Sequence, residues 1–143
     1  MKQPHFQWLM RKSTKTMAND PTKTNALKKL IQTKLKTLTT DVYFETADKD
    51  ALYPHIVFSF RTINLDDLSR QDYMLDVDIW DKGKLTFNVD QLADQVEALL
   101  HCQNLPQTTI LPTFYLVDRK AIIDEDKQIK HRLVRFQVQN YVR

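Results

Sequence analysis

Hydrophobic residues recur along this chain with two different periods, one typical of helices and one typical of strands. Between residues 22 and 38 they are three or four positions apart, which places them on one face of a helix. That face comprises Leu27, Leu30, Ile31, Leu35 and Leu38. Lysines at positions 28, 29, 34 and 36 lie away from it. The segment is therefore predicted to pack one side on a sheet and to expose a basic side.

A second amphipathic helix is predicted from Asn88 to about Cys102. Asn88 is a residue type favoured at helix N-caps, and Gln91 follows three positions later. Phe87 and Leu92 occupy the two positions of a hydrophobic staple. The predicted buried stripe consists of Val89, Leu92, Ala93, Val96, Leu99 and Leu100.

Strict alternation of apolar and polar residues predicts strands elsewhere in the chain. The predicted strands cover residues 41–47, 55–63, 73–80, 109–123 and 130–142, with a polar connection over 62–72 and a turn over 124–128. The fourth strand is expected to be broken or bulged near Pro112, because proline has no backbone N–H to donate. In the third strand one face carries Tyr73, Leu75, Val77 and Ile79, and the other carries Met74, Asp76, Asp78 and Trp80.

The predicted element order is α-β-β-β-α-β-β. Consecutive strands joined by short connections indicate an antiparallel sheet, with a mixed sheet as the alternative. Both helices are expected to flank it, which makes the fold class α+β. Residues 22–143 are predicted to form this single domain, and residues 1–21, which lack periodicity, a flexible N-terminal arm. Met17 begins a segment that resembles an ordinary protein start, so the choice between Met1 and Met17 stays open.

The small numbers of glycine and cysteine residues argue against several classes of enzyme. The sequence holds one glycine, Gly83, whereas dinucleotide fingerprints, phosphate-binding loops and serine nucleophile elbows need several at fixed spacing. The single cysteine, Cys102, excludes an internal disulfide, and with His101 it is interpreted as a small buried thiol beside a helix-end histidine. The chain is therefore predicted not to be an enzyme and to need no cofactor.

The net charge of +3 conceals an uneven distribution. Residues 1–40 hold nine basic residues and one acidic residue, whereas the remainder holds twelve basic and seventeen acidic residues. A basic region on an acidic body suggests either a nucleic-acid-binding accessory protein or one basic helix face with a solvated tail. The second interpretation is favoured, because no aromatic residues interleave with the basic ones after Trp8.

Two acidic motifs suggest metal chemistry. Asp76 and Asp78 project from the same strand face and form a candidate metal-binding pair, but the sequence fixes no third acidic ligand. A solvent-facing position for both is favoured. Asp118 and Lys120 resemble the D-x-K element of some metal-dependent nucleases, a short signal that is expected by chance in many chains.

The strand and helix motifs together resemble a known family. They are Tyr53-Pro54-His55-Ile56-Val57-Phe58, then Asp78-Ile79-Trp80, then the helix stripe around Leu92-Ala93, and a final alternating strand over 131–138. In this order they resemble the small tail-completion and tail-terminator proteins of long-tailed bacteriophages and prophages. The resemblance covers roughly residues 22–142.

The resemblance implies an antiparallel sheet with flanking helices and a hexameric ring at the head-proximal end of the tail tube. There the ring would stop tube polymerisation and present a docking surface to the head connector. The implied partners are other copies of the chain, the tail-tube protein and the head-connector protein. Nucleic acid is the less favoured partner, and no apolar run is long enough to predict a membrane span. The protein would act in the bacterial cytoplasm during assembly and then in the virion tail.

The residues themselves suggest where such contacts lie. In a ring, one patch of each subunit fits a different patch of the next, so the basic helix of one copy is expected to approach the acidic sheet side of another. Aromatic residues are enriched at interfaces, and the acidic run in the last turn could dock a basic surface. The candidate interface residues are Lys28, Lys29, Asp76, Asp78, Trp80, Asp124, Glu125 and Asp126.

Overall fold

The computed structural model describes residues 21–67 and 70–142. The predicted N-terminal arm lies outside these residues except for its last position. The elements are α1 (Lys23–Leu35), β1 (Val42–Phe44), β2 (His55–Asp67), β3 (Arg70–Lys82), α2 (Phe87–Leu100), β4 (Ile110–Ile123) and β5 (Ile129–Val142). The predicted order and the α+β class are confirmed. Among the described residues, no helix is long and apolar enough to cross a membrane.

The strands form one mixed sheet in the order β1-β2-β3-β5-β4. β1 runs parallel to β2, because the chain leaves β1 at its end and returns over residues 45–54 to begin β2 beside it. All other neighbours are antiparallel. β1 and β4 are therefore the two edges of the sheet.

Both helices pack on the same side of this sheet. Their buried residues join the inward side chains of β3 and β5 in one core, in which Leu75, Val77 and Phe136 have no exposed surface. The predicted helix stripes are confirmed, except that Leu38 and Leu99 are only partly buried. Most of the core residues come from periodic positions, so the pattern of the sequence alone accounts for the layered architecture.

The long hairpin of β2 and β3 corrects one prediction. Within the predicted polar connection, 62–72, the residues up to Asp67 continue β2 and those from Arg70 onward belong to β3. Polar side chains at the start of β3 pair with each other. Arg70, for example, donates to both carboxylate oxygens of Asp72 at 2.8 Å.

The start of α2 corrects another prediction. The residue at the N-cap is Thr86, and Asn88 lies exposed inside the first turn. Phe87 is 69% exposed, so it forms no hydrophobic staple with Leu92. The helix begins earlier than its sequence signals indicate, which turns Phe87 toward solvent.

β4 is continuous through Pro112, contrary to the predicted break. Pro112 pairs with Asn140 of β5, and its carbonyl accepts a hydrogen bond from the Leu105 N–H (3.0 Å) on the outer side of the strand. N–H and C=O of one residue point the same way in an antiparallel strand, so the missing donor of Pro112 faces the sheet edge. The irregularity lies instead between Leu116 and Asp118.

Asn140 is fully buried on the helix side of β5, and neither polar atom of its side chain has a hydrogen-bond partner. An unsatisfied buried amide is destabilising, whereas an apolar side chain of similar branching is not. We expect Asn140→Leu to raise the free energy of unfolding by about 1 kcal/mol, measured by urea denaturation. Asn104→Leu, at an exposed position, is the control. A loss of stability in Asn140→Leu would mean that another group, such as a buried water, binds this amide.

Candidate partner interfaces

One side of the sheet carries no helix in the part of the chain that the structure describes. We call this side the open face and define it by Asp76, Asp78, Trp80, His131 and Arg135. The predicted alternation of β3 is confirmed, because the side chains on the opposite side of the strand are buried and those on the open face are partly exposed. The open face therefore brings together three of the candidate interface residues.

Asp78, Trp80 and His131 form a compact cluster on the open face. Trp80 and His131 are direct cross-strand neighbours, and their rings stack with centroids 3.7 Å apart and an interplanar angle of 17°. The Nε2–H of His131 donates to Oδ1 of Asp78 at 2.6 Å. His131 is far from the other two in sequence, so no local motif could have identified it. The cluster rigidifies the face and leaves part of the indole exposed.

Asp76 binds a cation of the protein itself. Arg135 donates to both of its carboxylate oxygens, at 2.6 Å and 3.1 Å, and this bond raises the pKa of the guanidinium. Asp118 of β4 lies opposite Arg135 on the other side. Among the described residues, no group of three or more His, Cys, Asp or Glu could hold a metal ion. Asp76 and Asp78 are thus held apart in two separate pairs.

The acidic run 124–126 shapes the turn between β4 and β5. Oδ1 of Asp124 accepts a hydrogen bond from the Asp126 N–H (2.9 Å), and Oδ1 of Asp126 accepts one from the Gln128 N–H (3.0 Å). These local bonds are the usual role of aspartate in turns. Glu125 is exposed. The run lies at the end of the sheet where β2 and β5 begin and β3 and β4 end.

The same end of the sheet exposes large apolar side chains, of which the sequence patterns singled out Phe87 alone, and that one as part of a staple rather than as an exposed residue. We call it the loop end and define it by Leu52, Leu85, Phe87 and Ile123, together with the turn 124–128. The four side chains are 69%, 77%, 69% and 84% exposed. A concentration of exposed apolar side chains is typical of a protein-binding surface. The only sequence signal is their occurrence in loops and at element ends.

Lys28 and Lys29, adjacent in α1, lie on different sides of the helix. Nζ of Lys28 lies over the ring of Phe44 in β1, 4.8 Å from its centroid. Lys29 instead lines a cavity of ≈ 400 Å³ with Thr33 and the loop 107–109, which leads into β4. The two lysines therefore do not build one basic groove for nucleic acid.

His101 and Cys102 follow the end of α2. Nδ1 of His101 accepts a hydrogen bond from the Leu116 N–H at 3.0 Å, which ties the helix end to β4. The expected role of a helix-end histidine is confirmed. The prediction of a buried thiol is wrong, since Cys102 is exposed and adopts a positive φ of 58°.

His55 begins β2 and is buried beside Tyr43 and Tyr53. Burial lowers its pKa below the ordinary value, although Nδ1–H donates to the Leu52 carbonyl (3.1 Å). A histidine whose pKa is lowered by folding binds more protons in the unfolded state. Its contribution to stability is therefore complete above about pH 6.5 and is lost as the pH falls through that value toward the folded pKa.

We expect thermal stability to fall when the pH is lowered from about 7.5 to about 5.5. His55→Asn keeps a donor for the Leu52 carbonyl but does not titrate, so its melting temperature should change less over this range. Calorimetry at both pH values measures the difference. The hydrogen bond to Arg132 lowers the pKa of Asp90 below its ordinary value of 3.8. The titration of Asp90 therefore does not change stability between the two pH values. Equal slopes for the two proteins would contradict the assignment to His55.

Comparison with known proteins supports the fold and one family. A family model described as "Tail completion protein gp17" matches residues 25–139. No curated protein matches the sequence. A solved chain from "Virion of native gene transfer agent (GTA) particle" is similar in structure, with a TM-score of 0.61 and 11% identity, covering 75% of this chain and 84% of that chain. A second solved chain has a TM-score of 0.59 and 10% identity, covering 83% and 92%. At these identities the two solved chains share the fold.

Proposed function

Because the chain belongs to the tail completion protein gp17 family, we propose that it caps the tail tube of a phage or prophage particle and joins the tube to the head connector as a hexameric ring. The family makes it a structural protein of the phage tail. Our proposal adds that it caps the tail tube, forms a ring and contacts the head connector. We also propose that its partners are further copies of the chain, the tail-tube protein and the head-connector protein. Assembly in the host cytoplasm is part of the same proposal.

The observation that carries the proposal is the family match over residues 25–139. Two surfaces of the described chain agree with it. A ring subunit in a tail needs separate surfaces for its own copies and for other proteins. The open face has its carboxylates paired internally, whereas the loop end exposes Leu85 and Phe87, which favours protein docking.

The test is removal of the gene from a strain that produces the particle. Without the protein we expect heads separated from tails, and tail tubes of uneven length, in electron micrographs. A plasmid copy of the wild-type gene should restore joined particles. Normal particles in the deletion strain would overturn the proposed function.

A further inference from the structure

We propose that neighbouring copies of this chain contact each other through oppositely charged helix rows at the two edges of the sheet. The acidic row is Asp90, Asp94 and Glu97 of α2. The basic row is Lys28 of α1 and Lys36 at the C-cap of this helix, with Gln32 between them. This inference rests on the proposed ring, and it names the side chains that hold the ring together.

The acidic row lies at the β4 edge. Its members are spaced by four and three residues, so they share one side of α2. Nη1 of Arg119, in β4, lies 2.5 Å from Oδ1 of Asp94 and 3.1 Å from Oε2 of Glu97. These contacts raise the pKa of Arg119, with the Asp94 bond as the largest cause. α2 contains no basic residue to neutralise them.

The acidic row retains capacity for a further cation. Asp94 binds Arg119 through one carboxylate oxygen, and its side chain is 71% exposed. Asp90 binds Arg132 at 2.7 Å, so three carboxylates share two guanidinium groups and one negative charge is in excess. Beside them lies an open cavity of ≈ 370 Å³, lined by Asp94, Glu97, Ala98 and His101. An incoming lysine side chain would find both room and unbalanced charge there.

The basic row lies on the side of α1 that faces β1, whereas the other side of this helix contacts the start of β4. Lys28, Gln32 and Lys36 follow each other at intervals of four residues and so form one row along α1. Lys28 lies over Phe44 of β1, and Nε2 of Gln32 donates to the Val42 carbonyl at 3.5 Å. Residues 21–40 contain no acidic residue. In the described part of the chain, neither lysine of this row is in an ion pair.

The position of the two rows determines the kind of assembly. β1 and β4 are opposite edges of the sheet, so the basic row of one copy can meet the acidic row of the next while leaving its own acidic row free. Such a head-to-tail contact repeats and can close into a ring, whereas a self-complementary patch would stop at a dimer. We assign the acidic partner to α2 rather than to the open face, because the side chain of Asp94 is 71% exposed, whereas those of Asp76 and Asp78 are 25% and 27% exposed.

The first experiment compares Lys28→Glu with Lys29→Glu, using light scattering on the full-length chain over a range of concentrations. The two variants make the same charge change at adjacent positions, but Lys29 lies by the loop 107–109 instead of β1. We expect Lys28→Glu to weaken self-association roughly ten- to a hundredfold and Lys29→Glu to leave it near wild type. Raising NaCl from about 50 mM to about 500 mM should weaken wild-type assembly in the same way.

The second experiment tests the pairing itself. Asp94→Lys should also prevent assembly, and mixing it with Lys28→Glu should restore rings, because both contacts in an alternating ring are then oppositely charged. Melting temperatures must show that both variants are folded. If Asp94→Lys is unfolded, Asp94→Asn in place of it should still weaken wild-type assembly.

The outcomes separate this interface from the proposed function. Equal assembly of the Lys28→Glu and Lys29→Glu variants overturns the interface but leaves the ring. A wild-type chain that stays monomeric, or stops at a dimer, overturns both the interface and the ring, while the gene-deletion test still decides the tail role. If assembly survives Lys28→Glu and is lost on deletion of residues 1–16, the contact belongs to the N-terminal arm and the proposal is wrong.

Discussion

Replacing Leu85 and Phe87 together with aspartate is expected to abolish head–tail joining while leaving the chain folded. The two side chains are 77% and 69% exposed, so the substitution removes little from the core. Apolar side chains of this size at the centre of an interface each contribute about 2 kcal/mol or more to binding. Two carboxylates in their place would also have to be desolvated on docking, which adds a further penalty.

The measurement is complementation of the deletion strain, with joined particles counted by electron microscopy. We expect the double variant to reduce them at least about a hundredfold, the factor that corresponds to roughly 3 kcal/mol. Gln103→Asp with Asn104→Asp is a matched control, since it adds the same two charges at exposed positions outside the loop end. A folded Leu85/Phe87 variant that joins particles normally would show that the loop end is not the docking surface.

Phe58→Ala is expected to cost about 3–5 kcal/mol of folding stability. Phe58 has no exposed surface, and its ring lies 5.1 Å from that of Phe44 on the parallel neighbour strand. Its removal leaves a cavity in the core, which the surrounding side chains refill only in part. Because small domains are stable by about 5–15 kcal/mol, this loss would remove a large part of the free energy of unfolding.

Urea denaturation followed by circular dichroism measures this loss. Ser59→Ala is the control. Ser59 follows Phe58 in β2 and lies on the side of the open face, so its substitution should change stability by less than about 0.5 kcal/mol. The comparison also checks which side of the sheet is the core. Similar losses in the two variants would contradict the one-sided packing of the helices.

The local patterns of the sequence predicted the elements well where burial on one side repeats over several turns or residues. The alternation in 73–80 and the stripe from Leu27 to Leu35 were predicted correctly. In both elements, the side of the strand or helix on which a residue lies decides whether it is buried. The errors concerned helix starts and strand breaks, which depend on single residues rather than on a repeated pattern. Asn88 has the better cap chemistry, but the helix begins at Phe87, and Pro112 is tolerated because it lies in an edge strand.

The candidate interface residues remain predictions, and the structure shows which of them lie together. Asp76, Asp78 and Trp80 do share one face, as their spacing required. Their partners Arg135 and His131 could not be predicted, because cross-strand contacts depend on the register between β3 and β5. Lys28 and Lys29 were both predicted on the exposed basic side of the first helix, and a rotation of about 100° per residue places them on different parts of that side.

The sequence by itself determined the layered α+β architecture, the identity of most core residues and the likeness to a tail completion family, since these depend on periodic positions and short motifs. Only the tertiary structure decided which charges remain available to a partner. It pairs Asp76 with Arg135 and Asp78 with His131 of β5, and it places Lys28 beside β1 and Asp94 beside β4, the two edge strands of the sheet. The physical reason is that charge balance and surface position depend on strand order and register, which bring together residues far apart in the chain.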